Sequence, residues 1–346
     1  MTTKILEKLT FKLFTSPSCS YFFNKLNGNT EIWGQNLDED AIYLPDGPMI
    51  ADIEITTICD GPKGIPCPFC YKKNTSKGEY MTFETFKTIF HKFPRTLTQI
   101  AFGADATLTS NPDIWKIMDY CENNDYQSVV PNITVANISD DVADKLAEYC
   151  GAVAVSRYDD PDVCYDSVKR LTDRGMDQVN IHMMVSMETY NTALQTIYDA
   201  KDDPRLKDMN AIVFLSLKRK GRGTKYTPLS QEMFNNLVMT AMTNDIKFGF
   251  DSCSAHKFLT SVSKLPTYKY LENMTEPCES TLFSSYIDVN GDFYPCSFCE
   301  KVDGWEEGLS VVDCEDFLED IWNHEKTEKF RNNLLQNDRN CPVYDL

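Results

Sequence analysis

The sequence predicts an α/β protein built on a parallel sheet, on three observations. From about residue 49, apolar runs suited to buried strands alternate six times with amphipathic helical stretches. Strict alternation of this kind implies parallel strands joined by helical crossovers. Most of the polar residues with chemical potential fall at the carboxyl ends of those predicted strands, where barrels and open parallel sheets place their active sites. No run approaches the ~18 apolar residues of a membrane span.

Residues 1–48 stand outside the alternation. Within them Tyr21–Trp33, split by Asn27-Gly28, predicts a β-hairpin with a tight turn. It reads as a small N-terminal flap, too short to be an independent domain. The predicted strands are then Met49–Ile55, Thr98–Phe102, Val129–Val135, Ala152–Ser156, Gln178–Val185 and Ala211–Leu217, with Phe248–Asp251 a candidate seventh. The helical stretches are Thr82–Phe93, Asn111–Cys121, Asp140–Tyr149, Pro161–Thr172, Glu188–Lys201 and Ser230–Thr243. Thr82 is placed to cap the first of them. After residue 256 the pattern changes. Ser284–Pro295, interrupted by Asn290-Gly291, predicts a second hairpin, and Cys314–Leu335 has helical periodicity. The expected division is 1–48, 49–255 and 256–346. An open doubly wound sheet and a curved barrel both satisfy the alternation.

Composition narrows the class. Fifty-two acidic against 34 basic residues give a net charge of −18, which opposes non-specific binding to nucleic acid or anionic lipid. The best local basic patch is Lys218-Arg219-Lys220-Gly221-Arg222. Thirteen cysteines, an odd number, without a signal-like start argue for a reducing, cytoplasmic, metal-using protein over a secreted disulfide scaffold.

Cys59, Cys67 and Cys70 follow the first predicted strand as Cys-x7-Cys-x2-Cys, with Phe69 inside the last pair. The gap Asp60–Pro66 holds two glycines and two prolines, which suit a looped-out excursion that brings Cys59 beside the other two. Three thiolates can hold three irons of a [4Fe–4S] cluster and leave the fourth iron open. Zinc accepts the same ligands, and spacing does not separate the two. The next Cys or His is His91, inside a predicted helix, so zinc lacks an adjacent fourth ligand. Further strand ends carry Gly103, Ala104 and Asp105, then Ser156 and Arg157. His182 lies on the fifth strand, a basic loop follows the sixth, and Asp251-Ser252-Cys253 follows the seventh.

With these motifs in register, residues 49–346 resemble the radical S-adenosylmethionine (SAM) enzymes, although the usual cysteine spacing there is Cys-x3-Cys-x2-Cys. The resemblance implies a partial (β/α)6 barrel in which Cys59, Cys67 and Cys70 hold a [4Fe–4S] cluster that chelates SAM. It implies that Phe69 packs against adenine and that Gly103, Ala104 and Asp105 stand where the family's Gly-Gly-Glu-Pro motif receives the methionine amino group, Asp105 replacing Glu and Ala106 replacing Pro. Ser156, with Arg157 second, is implied for the SAM carboxylate or ribose. His182 reads more simply as a packed histidine than as a catalytic one, and no catalytic residue is named.

The tail carries a second set. Cys278 is followed by twelve residues, Gly291, four residues and Cys296. That spacing resembles the auxiliary-cluster extension SPASM, or its shorter Twitch form. The resemblance implies one auxiliary [4Fe–4S] cluster held by Cys278, Cys296, Cys299 and Cys341, with Cys253 or Cys314 as alternative ligands. A zinc knuckle is the competing reading. Cys121, Cys150 and Cys164 read as small buried hydrophobes. The implied activity is reductive cleavage of SAM to a 5′-deoxyadenosyl radical, with one electron from a reductant such as flavodoxin or ferredoxin. The radical would abstract hydrogen from a peptide or protein side chain or, as the alternative, from a small metabolite. The rival class is a non-enzymatic zinc-binding protein that recognises a partner.

Overall fold

The computed structural model of the chain describes residues 3–37 and 39–344. It begins with a four-stranded antiparallel sheet in sequential order, β1 (Lys4–Glu7), β2 (Phe11–Thr15), β3 (Ser20–Asn24) and β4 (Thr30–Trp33). The expected hairpin is β3–β4. The strands β1 and β2 add to it: Phe14 and Tyr21 stack at 5.0 Å and are fully buried. This sheet is the segment expected as an N-terminal flap. Its side chains reach the amino ends of the barrel strands, where Lys12 Nζ donates to the Leu97 carbonyl, Tyr21 to the Thr96 carbonyl, and Lys25 to Ser128.

The alternating region follows as β5 (Ile50–Glu54), α1 (Phe83–Lys92), β6 (Gln99–Gly103), α2 (Ile114–Glu122), β7 (Val130–Val135), α3 (Asp140–Tyr149) and β8 (Ala152–Ser156). It continues through α4 (Pro161–Thr172), β9 (Val179–Val185), α5 (Tyr190–Asp202), β10 (Ala211–Ser216), α6 (Gln231–Thr243) and β11 (Phe248–Phe250). Local chemistry starts these helices where the sequence places them. Thr82 accepts from the Thr85 N–H, Ser139 from Val142 and Ser230 from Met233, each satisfying a backbone donor in the first turn. The apolar stripe of α1, with Phe86, Ile89 and Phe90 fully buried, packs on the sheet.

Strands β5 to β11 pair in parallel and in sequence order. A doubly wound sheet reverses its order at a switch point; this one never reverses, so its helices share one face and the sheet curls as a partial barrel. The tail extends it. After α7 (Ala255–Val262) and α8 (Tyr268–Asn273), neither foreseen in the sequence, β12 (Ser284–Ile287) pairs in parallel with β5. It turns through Gly291 into antiparallel β13 (Asp292–Tyr294), and β14 (Leu309–Ser310) completes a ten-stranded sheet. The periodic stretch expected to be one helix breaks into a turn of π-helix at Leu318–Trp322 and α9 (Glu325–Gln336). Among the described residues no helix is long and apolar enough to cross a membrane.

Candidate functional site

Every strand from β5 to β11 sends residues from at or near its carboxyl end to one cavity of about 460 Å³. Glu54, Gly103, Val135, Arg157, Ser216 and Asp251 mark the ends in turn, with Met184 and His182 on β9. Cys59, Cys67 and Cys70 line the same cavity together with Phe69. The structure therefore brings the three motif cysteines to one wall.

The loop that carries them is tied down on both sides of its excursion. Thr57 N–H donates to the Glu79 carbonyl at 2.9 Å and Cys59 N–H to the Thr75 carbonyl at 2.7 Å. Gly61 has φ +83°, and a Cβ there would lie 2.0 Å from the Ile65 carbonyl oxygen, so only glycine closes this loop. The seven-residue gap has a structural reason. It crosses the mouth to the opposite loops, where Asn137 donates to the Pro62 carbonyl at 2.9 Å and Lys63 pairs with Asp160. Phe69 stacks on Tyr158 at 5.6 Å and meets Tyr226 edge-on at 5.8 Å. Burial raises the Cys67 thiol above its ordinary value, partly offset by a hydrogen bond from Tyr158.

The other expected SAM contacts divide. Gly103, Ala104, Ser156 and Arg157 line the cavity. Asp105 does not: its carboxylate accepts from Thr107, Thr109 and Ser110, the Ser110 hydroxyl at 2.6 Å, and these bonds hold it below the usual carboxylate range against burial. It organises its own loop. Arg157 is 6% exposed, and its Nε and Nη1 have no hydrogen-bond partner among the described residues. A buried cation with open donors favours an anion beside it. His182 is pushed down to about 4 by burial, so it faces the cavity neutral.

A second cavity of about 190 Å³ lies beside the first; Lys218, Asp251 and Phe298 line both. Cys253, Cys278, Cys296, Cys299 and Cys341 line the second one. The β12–β13 hairpin returns the chain so that Cys278 and Cys296 meet there. The Cys296 and Cys299 sulfurs share a hydrogen bond at 3.5 Å, which pushes Cys296 down and Cys299 up. Cys314 is not brought to this group. Its thiol donates to the Val311 carbonyl at 3.2 Å, and its own carbonyl accepts from Lys92, the last residue of α1. Cys121, Cys150 and Cys164 are buried in the core, as expected. Among the described residues no three His, Cys, Asp or Glu side chains converge closely enough for a single metal ion. The two thiol sets stand around cavities instead.

The sequence did not reveal how the two sets are joined. Lys72, two residues beyond Cys70, pairs with Glu54 at 3.0 Å and with Glu300, and donates to the Tyr286 hydroxyl at 2.8 Å. Lys218 pairs with Asp251 and lies 4.8 Å over the Phe298 ring. A buried acid in strand β5 opposite a lysine after the cysteines was the available signal.

Residues 278–343 match the family described as SPASM, an iron–sulfur cluster-binding domain. No curated protein matches the chain by sequence. Among solved structures, Streptococcus suis SuiB bound to precursor peptide SuiA aligns with TM-score 0.67 at 14% identity, covering 95% of this chain and 90% of that one. SuiB bound to S-adenosylmethionine gives 0.65 at 12%, with the same 95% and 90% coverage. The anSMEcpe structure with bound AdoMet gives 0.56 at 14%, covering 81% and 82%. Identities this low carry the fold. The partial barrel expected from the sequence is present, and the tail expected to resemble SPASM matches that family.

Proposed function

We propose that the chain is a radical SAM enzyme acting on a peptide or protein side chain. The observation that carries this reading is the co-location of three thiols, Phe69 and Arg157, whose buried Nε and Nη1 have no hydrogen-bond partner among the described residues, in one strand-end cavity. The residues fit the implied groups: Cys59, Cys67 and Cys70 would hold a [4Fe–4S] cluster, and Arg157 with Ser156 would receive the carboxylate of SAM. When bound, these groups supply reductive cleavage of the sulfonium and hydrogen-atom abstraction. The chain's own residues orient and enclose. Phe69, Tyr158 and Tyr226 form an apolar shelf, Arg157 fixes the amino-acid end, and neutral His182 adds no charge to the chamber.

The thiols around the second cavity would hold an auxiliary [4Fe–4S] cluster, with four of Cys253, Cys278, Cys296, Cys299 and Cys341 as ligands. Its position behind Lys218 and Phe298 suits an acceptor for the electron left on an oxidised substrate. A flavodoxin or ferredoxin would supply the initiating electron. The SuiB complex with a precursor peptide supports the peptide class. A small adjacent peptide gene would favour it over a metabolite.

Anaerobic reconstitution with iron and sulfide, followed by SAM and dithionite, should yield 5′-deoxyadenosine. Cys67→Ala should reduce that yield by about a thousandfold or more, because the remaining thiols cannot hold the cluster, with the circular dichroism spectrum unchanged. A colourless zinc-loaded protein that forms no product would end this reading.

A further inference from the structure

In the basic loop after β10 Arg219 is exposed and Lys218 lines both cavities, whereas Lys220 and Arg222 reach toward the cysteine loops. Arg222 turns toward the first cysteine loop: Nε donates to the Cys67 carbonyl at 2.8 Å, Nη2 to the Asn74 carbonyl at 3.0 Å, and its backbone N–H to the Cys70 carbonyl at 3.0 Å. Two residues earlier, Lys220 turns toward the second. Its Nζ donates to the carbonyls of Ser297 at 3.2 Å, Phe298 at 3.3 Å and Glu300 at 2.6 Å. Those carbonyls lie within and just beyond the Cys296–Cys299 turn. Gly221 separates the two arms with φ +61°, and a Cβ there would sit 2.2 Å from the Tyr71 carbonyl oxygen. The loop can therefore lie against the cysteine segment only as glycine.

Loops without a ladder leave carbonyls in need of donors. An ammonium with three N–H groups, or a planar guanidinium, gathers several at once and fixes their mutual positions. We propose that Lys220–Arg222 is a two-armed strut that sets the two cysteine loops relative to each other. Lys220 is the positioning residue for Cys296 and Cys299, and Arg222 for Cys67 and Cys70. The Lys72–Glu300 pair also joins the two cysteine segments. With clusters in place, the strut would fix their separation, and the nearby charge would tune their potentials; that second consequence rests on the proposed function.

The direct test needs no cluster. Metal-free full-length protein is alkylated under native conditions and each cysteine is followed by mass spectrometry. Lys220→Met should label Cys296 and Cys299 about tenfold faster, equivalent to about 1.4 kcal/mol, with Cys59, Cys67 and Cys70 unchanged. Arg222→Met should do the reverse, and Lys220→Arg should restore slow labelling. Unchanged rates in Lys220→Met overturn the strut, as does equal acceleration at both loops, which would mean general loosening. In reconstituted protein, Lys220→Met should shift the paramagnetic signal and midpoint potential of the auxiliary cluster alone. A wild-type chain that takes up no iron would sink the proposed function while leaving the labelling result to decide the strut.

Discussion

Lys12 lies beneath the amino ends of the barrel strands and Arg157 at their carboxyl ends, and these two buried cations are satisfied in opposite ways. Lys12 is fully buried, its ammonium donates to the Leu97 carbonyl, and the N-terminal sheet closes over it. Arg157 keeps two donor groups without a partner beside a cavity of about 460 Å³. The first end is finished by the chain itself; the second is left for a ligand to finish. Leaving buried donors open costs stability, so the mouth trades folding free energy for binding. This matches the general division in which the amino-terminal face of a barrel serves stability and the carboxyl-terminal face chemistry.

The largest effect that would test this contrast is the pH dependence contributed by Lys12. Burial pushes its ammonium down to about 8 from 10.5. Between those values the unfolded chain binds the proton and the folded one does not. Stability from this group therefore rises as pH rises from 8 to 10.5, and is lost as pH falls to 8. The full swing is ~3 kcal/mol. Denaturant melts at pH 7.5 and pH 10 should show Lys12→Met gaining ~2–3 kcal/mol less than wild type over that interval, with SAM cleavage at pH 7.5 unaltered. A variant that loses SAM cleavage would place the N-terminal sheet in the reaction and break the contrast.

At the mouth, Arg157→Gln removes the charge and keeps part of the volume. Charge-assisted hydrogen bonds contribute ~1.5–3 kcal/mol each, so SAM should bind the reconstituted variant about ten- to a hundredfold more weakly by calorimetry. The metal-free variant should be as stable as wild type or more so, because two buried donor groups without a partner are gone. Equal affinity in variant and wild type would mean that the open donors serve something other than SAM.

What the sequence made legible follows from interaction range. The β/α alternation and the cap Thr82 are local and were readable residue by residue. The Cys278-to-Cys296 hairpin was readable from its turn at Asn290-Gly291. The pairing of β12 with β5 and the bridge Lys72–Glu300 join residues more than two hundred positions apart, and no periodicity marks them. The carboxylate of Asp105 illustrates a subtler limit. Its place at the end of β6 was apparent, but three hydroxyl-bearing neighbours, Thr107, Thr109 and Ser110, claim it for the loop.

Cys314 gives the smallest expected effect and sharpens the contrast most economically, because it belongs to the tail yet lies with the finished end. The chain leaves the second cavity after Cys299, forms β14, and reaches the far end of α1, where Phe317 packs on Phe93 at 4.7 Å. It returns through α9 to Cys341. The Cys314 thiol is 7% exposed and donates to a carbonyl that a serine hydroxyl can also reach. Cys314→Ser should therefore leave iron per chain unchanged and alter stability by no more than about 1 kcal/mol. Cys278→Ser, at the cavity, should lower bound iron and bleach part of the visible absorbance. If Cys314→Ser lost iron to the same degree, the tail would have to unwind from α1 to deliver that thiol, and the separation of the two ends would fail at its most distant residue.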